Sequence, residues 1–257
     1  MMAHAETSPS LHIVGPKDRF PKVKLIEPTR SGYLLLALEI DHRLPFAYFM
    51  KSANKRRALK QIQSLAAGLQ SRSDVIEARI FKAVLIPPGR GELLKMRPQV
   101  RAARFDLVLL VEMQSPDAVH TLARDEFWLR SADQLAKLAR HSICISAENG
   151  RRIGPVDHNR PGVFLFNYFY ADHLEQNLQV WEYTAGWFQQ ETKLDNSVLL
   201  VPEPGQRLDY RIINHARWDR YRDILPSLLF KRSFRSFVLA NFAANGTAAI
   251  PILYRTD

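Results

Sequence analysis

The chain has 257 residues, 46% of them hydrophobic, with 36 Lys and Arg against 26 Asp and Glu and a formal net charge of +10. That is enough apolar material for one large domain or two small ones, and it excludes wholesale disorder. No window approaches the ~20 apolar residues of a membrane span, the N-terminal stretch has no apolar core of the secretory kind, and a single cysteine excludes an intrachain disulfide and a thiolate metal cluster; the expected location is the cytoplasm, with no membrane partner.

In chain order, residues 1–30 hold Pro9, Pro16, Pro21 and Pro28 among small and charged residues, which predicts an irregular arm rather than a packed element. Gly32 to Ile40 is an apolar run of strand length closed by Asp41, His42 and Arg43. From Leu44 to Gln70, Phe46, Phe49, Met50, Ala53, Ile62, Leu65, Ala66 and Leu69 recur at three- and four-residue steps, predicting an amphipathic helix. Its basic residues Lys51, Lys55, Arg56, Arg57 and Lys60 take the other side and read as a solvated face. Two strands follow, VIEARIFKAVLIPP and FDLVLLVEM, and then a helix opened by Ser115-Pro116-Asp117. HSICISAE is a fourth strand that carries Cys144, expected as a buried structural thiol, and the loop NGRRIGPVDHNRPG ends the unit.

The order then restarts. GVFLFNYFYA is a strand, and HLEQNLQVWEYTAGWFQQE a helix with Leu174, Leu178, Trp181, Ala185 and Phe188 down one stripe. NSVLLVP and LDYRIINH are strands, residues 219–241 a helical stretch kinked at Pro226, and AAIPILYR a final strand. Residue echoes mark a duplication. Asp41-His42 and Asp172-His173 follow the first strands, Leu85–Gly89 and Leu200–Gly205 end the second, and Phe105-Asp106 and Leu208-Asp209 open the third. The predicted layout is an arm (1–30) and two β-α-β-β-α-β repeats (31–155 and 161–257). The class is α+β: two tandem ferredoxin-like repeats whose antiparallel sheets pack face to face as an intrachain barrel. A small-molecule reading depends on a cavity between those sheets.

On this layout, RIINHARWDR (Arg211 to Arg220) and the helical FKRSFRSF after it resemble the dimeric α/β-barrel superfamily, and within it the antibiotic biosynthesis monooxygenase-like proteins, with both barrel halves fused in one chain. In that family the third strand ends in a Trp preceded by an Asn on the sheet; Asn214 and Trp218 occupy those places. The resemblance implies cofactor-free binding or oxidation of a hydrophobic, aromatic molecule, with Asn214 and Arg211 or His215 holding an enolate while oxygen adds. Relatives that cleave haem combine a first-strand Asn, a third-strand Trp and a His on the second helix. Asn167 and Trp218 match the first two, but no histidine follows His215, so the iron ligand is missing; no metal and no cofactor are expected. His173 and His215 leave a haem branch open by comparison with chlorite dismutases, which are also tandem repeats.

Strand alternation limits the site. Arg211, Ile213 and His215 share one face and Asn214 the other; Tyr168 and Tyr170 share one face and Asn167 the other. The pocket is therefore either Asn167 and Asn214 with Leu165 and Phe169, or Tyr168, Tyr170, Arg211 and His215, and alternation does not choose. His173 and Trp181, at the start and on the stripe of the following helix, are further candidate substrate contacts. Trp218 also reads as a packing anchor, and Asp219, Asp41 and Asp172 as helix caps. A non-catalytic ligand-binding or structural role on the same fold is the alternative. The RNA recognition motif has the same element order, and residues 163–168 resemble its first-strand signature, but the third strand lacks the Gly-aromatic pattern, so nucleic acid is not an expected partner. The fused repeats form an internal pseudo-dimer, with a further homodimer left open.

Overall fold

The computed structural model describes residues 10–41, 51–87, 92–206 and 208–257. Pro9, His42, Phe46, Phe49, Met50, Pro88 and Gly89 lie outside them. The strands are β1 (Gly32–Glu39), β2 (Val75–Leu85), β3 (Leu107–Met113), β4 (His141–Gly154), β5 (Val163–Ala171), β6 (Ser197–Pro202), β7 (Ile212–Trp218) and β8 (Thr247–Thr256). They close a barrel in the order β1-β3-β2-β8-β5-β7-β6-β4. Numbered within each repeat, both halves run fourth-first-third-second, the ferredoxin-like order. Antiparallel β2–β8 and β4–β6 seams join them. The registers are matched as well: Leu36 faces Leu109 across β1 and β3, and Asn167 faces Asn214 across β5 and β7.

The helices lie outside the barrel. They are α1 (Ala53–Gln70), α2 (Pro116–Ala123), α3 (Glu126–Ala136), α4 (Leu174–Thr192), α5 (Tyr221–Phe230) and α6 (Ala240–Ala244), with a π-helical turn at Phe234–Leu239 before α6. The hydroxyls of Ser52 and Ser115 cap α1 and α2, each accepting a backbone N–H from the first turn. Asp125 interrupts the second helix of the first repeat because its side chain accepts from Phe127 and Trp128 and starts α3 afresh.

Several expectations are corrected. β4 runs on through residues expected as loop, bending at bulges between Asn149 and Arg151 and between Arg152 and Gly154 to reach β6. The break after β7 falls at Lys231, whose backbone is extended, and not at Pro226, which lies in the middle of α5. Lys55 turns inward to pair with the fully buried Asp106 at 3.1 Å. Asp41 accepts the Ser52 N–H, one residue outside α1. Asp172 accepts from Tyr170 and Arg97 instead of capping α4. Asp219 pairs with Arg217 and Arg160, leaving Asp223 to reach back to the Arg220 N–H. Cys144 is exposed, opposite Leu36 on the outer face and beside Trp128 of α3.

Residues 10–31 are irregular but packed against the body. Phe20 and Val23 are buried in the core of the second repeat, and the Phe20 ring meets Phe237 at 4.7 Å. Asn241 and Asn245 of the α6 turn hold the arm backbone as a strand partner would, accepting from Val14 N and His12 N at 2.9 and 2.8 Å. The Pro21 carbonyl drops onto α4 at Gly186, where a Cβ would stand 1.7 Å from its oxygen. Prolines and charges between Phe20 and Val23 hide these contacts from any periodicity.

Among the described residues, side chains fill the space between the sheets. Phe81, Phe105, Phe164, Phe166, Tyr168 and Tyr254 are fully buried there and pack ring against ring, with Ile213, Ile250 and Ile252 among them. Eight strands leave an interior just wide enough for side chains to fill. The expected ligand cavity between the sheets is therefore not found among the described residues, and the small-molecule reading tied to it falls; any other ligand space lies on the outer faces, under the helices. Under α1 to α3 that layer is sealed by Leu34, Leu36, Leu38, Leu107, Leu109 and Val111.

Candidate functional site

The second repeat differs from the first at the matched positions. Where Leu36 and Leu109 meet in the first sheet, Asn167 and Asn214 meet in the second, 7% and 6% exposed beneath α4. Ser197 at the start of β6 donates its hydroxyl to Asn214 Oδ1 at 2.5 Å. That holds the Asn214 amide, which lines the space beneath the helix. Asn167 Oδ1 is buried with no hydrogen-bond partner among the described residues. Burying an amide oxygen unpaired costs about 1–3 kcal/mol, so such a group calls for a ligand or a water.

The walls around the two amides are Leu165 and Phe169 from β5, Trp181, Thr184 and Phe188 from α4, and Trp218 from the end of β7. The space they leave is about 20 Å³, room for one water, whereas a cavity that takes up benzene is about 150 Å³. No titratable side chain lines it. The Trp218 indole N–H donates to Thr192 Oγ1 at 3.1 Å, so the ring is latched to the last turn of α4.

Of the predicted site residues, the structure brings together Asn167, Asn214, Trp181 and Trp218. Tyr168 and His215 lie on the opposite face, inside the barrel. Tyr170 is half-buried against Asp172, Arg211 is exposed at the strand end with its Nε on the Ala171 carbonyl, and His173 is the exposed first residue before α4. Ser197, Thr184 and Thr192 were missed. The signal available for the threonines was their place on the otherwise apolar stripe of Trp181, Ala185 and Phe188; Ser197 had none.

His215 has another role. Its Nδ1 donates to the Leu165 carbonyl at 2.9 Å, so its Nε2 accepts from His158 Nε2 at 2.8 Å, and His158 Nδ1 meets the Glu77 carboxylate. This chain ties the 155–162 connection to both repeats. Burial, then the neighbouring His158, holds His215 well below the ordinary histidine range. Burial pushes the Glu77 carboxyl up, but the hydrogen bond and charge of His158, with Arg79 beside it, outweigh that and hold it below the usual carboxylate range. As pH falls through about 6.5 the unfolded chain protonates at His215 and the folded one does not. The contribution of His215 to stability is therefore complete above that pH and falls below it by about 1.4 kcal/mol per pH unit. Urea unfolding from pH 7.5 to 5.5 should show this slope, and His215→Phe should flatten it; an unchanged slope in the variant would assign it elsewhere.

An eight-stranded antiparallel barrel with two ferredoxin-like sheets and helices outside is the dimeric α/β barrel, here with both halves in one chain. It is the fold of monooxygenase-like proteins. An anthrone oxidase-like protein shares it, at 11% identity and a TM-score of 0.64 over 91% of this chain and 94% of its own. So does a candidate monooxygenase from Fusobacterium nucleatum, at 8% identity and a TM-score of 0.51 over 89% and 92%. No family profile matches the chain, and no curated protein does.

Proposed function

We propose that the second repeat binds an aromatic small molecule beneath α4, with the Asn167 and Asn214 amides as its polar contacts. The observation that carries this is the pair of facing amides in an apolar pocket, one oxygen unpaired, at the position that the first repeat fills with leucines. The comparison with an anthrone oxidase-like structure supports an oxidative outcome. Because no acid or base lines the pocket, the substrate must ionise by its own acidity. The Asn214 amide N–H then steadies the enolate oxygen while O₂ adds at carbon, and the unpaired Asn167 oxygen accepts from a hydroxyl of the substrate. For an anthrone, the methylene carbon gives up two hydrogens and gains one oxygen atom, and the other oxygen leaves with those hydrogens as water.

The small volume favours a second reading, a structural water between the amides. Anthrone oxidation followed by anthraquinone absorbance, with 2-naphthol binding by fluorescence, separates the two. Acceleration at least tenfold above buffer, mostly or wholly lost in Asn214→Leu, is expected, since one donor to a developing oxyanion is worth about 100-fold or more. Binding without acceleration reduces the proposal to a binding protein; neither binding nor acceleration overturns it.

A further inference from the structure

Beside the inner pocket runs a polar surface groove of about 770 Å³, walled by α4's last turn, the start of α5 and the 155–160 connection. Trp218 borders both spaces, and no other described residue does. On the groove side stand Thr192, which latches the indole, Asn196, bonded both ways to the Arg217 backbone at 2.8 and 2.9 Å, and Lys193, whose φ of 56° is left-handed. A non-glycine residue in that region is held there at a cost, and this one turns the chain directly beneath the Trp218 latch.

Resting on the binding proposed above, we infer that Trp218 is a movable partition and that the ligand occupies both spaces. Its aromatic nucleus lies against Asn167 and Asn214, and a polar, hydrogen-bonding substituent lies in the groove. The volumes require something of this kind, because a water-sized pocket beside a far larger groove can admit a ring only if the wall between them yields. Trp218 is that wall: it is 4% exposed and packed in the core of the second repeat, and its ring is fastened by one neutral hydrogen bond, to Thr192. The groove carries Asp157, Asp195, Lys193 and Arg222, donors and acceptors of both signs, which suits a hydroxylated substituent better than a single charge.

The test compares 2-naphthol with 2-naphthyl β-D-glucoside by calorimetry and stopped flow. If Trp218 opens onto the groove, the glucoside binds within about threefold of naphthol or more tightly. If naphthol binds and the glucoside is weaker by tenfold or more, the partition is fixed and this inference fails while the binding proposal stands; if neither binds, the binding proposal fails. Thr192→Val, which removes the latch and keeps the volume, should speed association and dissociation of either probe by about three- to tenfold with little change in Kd. Unchanged rates would overturn the partition role, and this variant avoids deleting a large buried ring.

Discussion

Asn167→Leu should make the protein more stable and abolish aromatic binding. The two side chains are nearly the same shape, and the first repeat shows that a leucine fits this environment, since Leu36 packs there with 1% exposure. The change removes a buried, unpaired amide oxygen, whose desolvation costs about 1–3 kcal/mol, and adds apolar surface to an apolar layer. A gain of about 1–2 kcal/mol in denaturant unfolding is expected, together with at least a tenfold loss of 2-naphthol affinity. A loss of more than about 1 kcal/mol would show instead that Asn167 is held by a structural water, the second reading of the pocket. Stability and binding moving in opposite directions is the signature of a position kept polar for a ligand.

Gly186→Ala should be among the most damaging single-methyl additions in the chain. In most helix interiors this change stabilises by about 1 kcal/mol. Here the new methyl would stand 1.7 Å from the Pro21 carbonyl oxygen, and because that atom is backbone, no rotamer relieves the contact. Either α4 shifts or the arm lifts, exposing Phe20 and Val23, each worth about 1.5–3 kcal/mol when buried. After the helix gain is subtracted, a net loss of about 2–4 kcal/mol is expected, with protease cleavage appearing between residues 15 and 30. Full stability with an uncleaved arm would mean that the arm contributes nothing to the fold.

The barrel was legible because its evidence is repetitive: LLLALEI and VFLFNYFY are apolar on both faces, and the Asp-His, Pro-Gly and Asp echoes recur in one order. What stayed hidden follows from the same physics. When both faces of a strand are buried, alternation pairs Asn167 with Asn214 and Tyr168 with His215, but it cannot say which pair meets the other sheet and which meets helices. The filling of the interior decides that, and it depends on eight strands at once. The Lys55–Asp106 pair and the docking of Phe20 were equally invisible, since each needs a partner distant in sequence. The extension of β4 was masked by Asn149, Gly150, Arg151 and Arg152, which read as a turn until a second sheet supplies a strand for them to meet.

Closure of the barrel by the β2–β8 and β4–β6 seams also governs how copies of this chain can meet. Among the described residues each of the eight strands has a neighbour on both sides over part of its length, so no strand presents a whole free edge, and the unpaired stretches include parts of β2 and β4 outside the seams. Self-association then favours side chains of the helical shell, and templated growth along a whole strand edge must wait until a seam has opened. Strand-edge growth should therefore depend on the two seams, and a variant that loosens β4 at its bulges is expected to aggregate before it loses helix content.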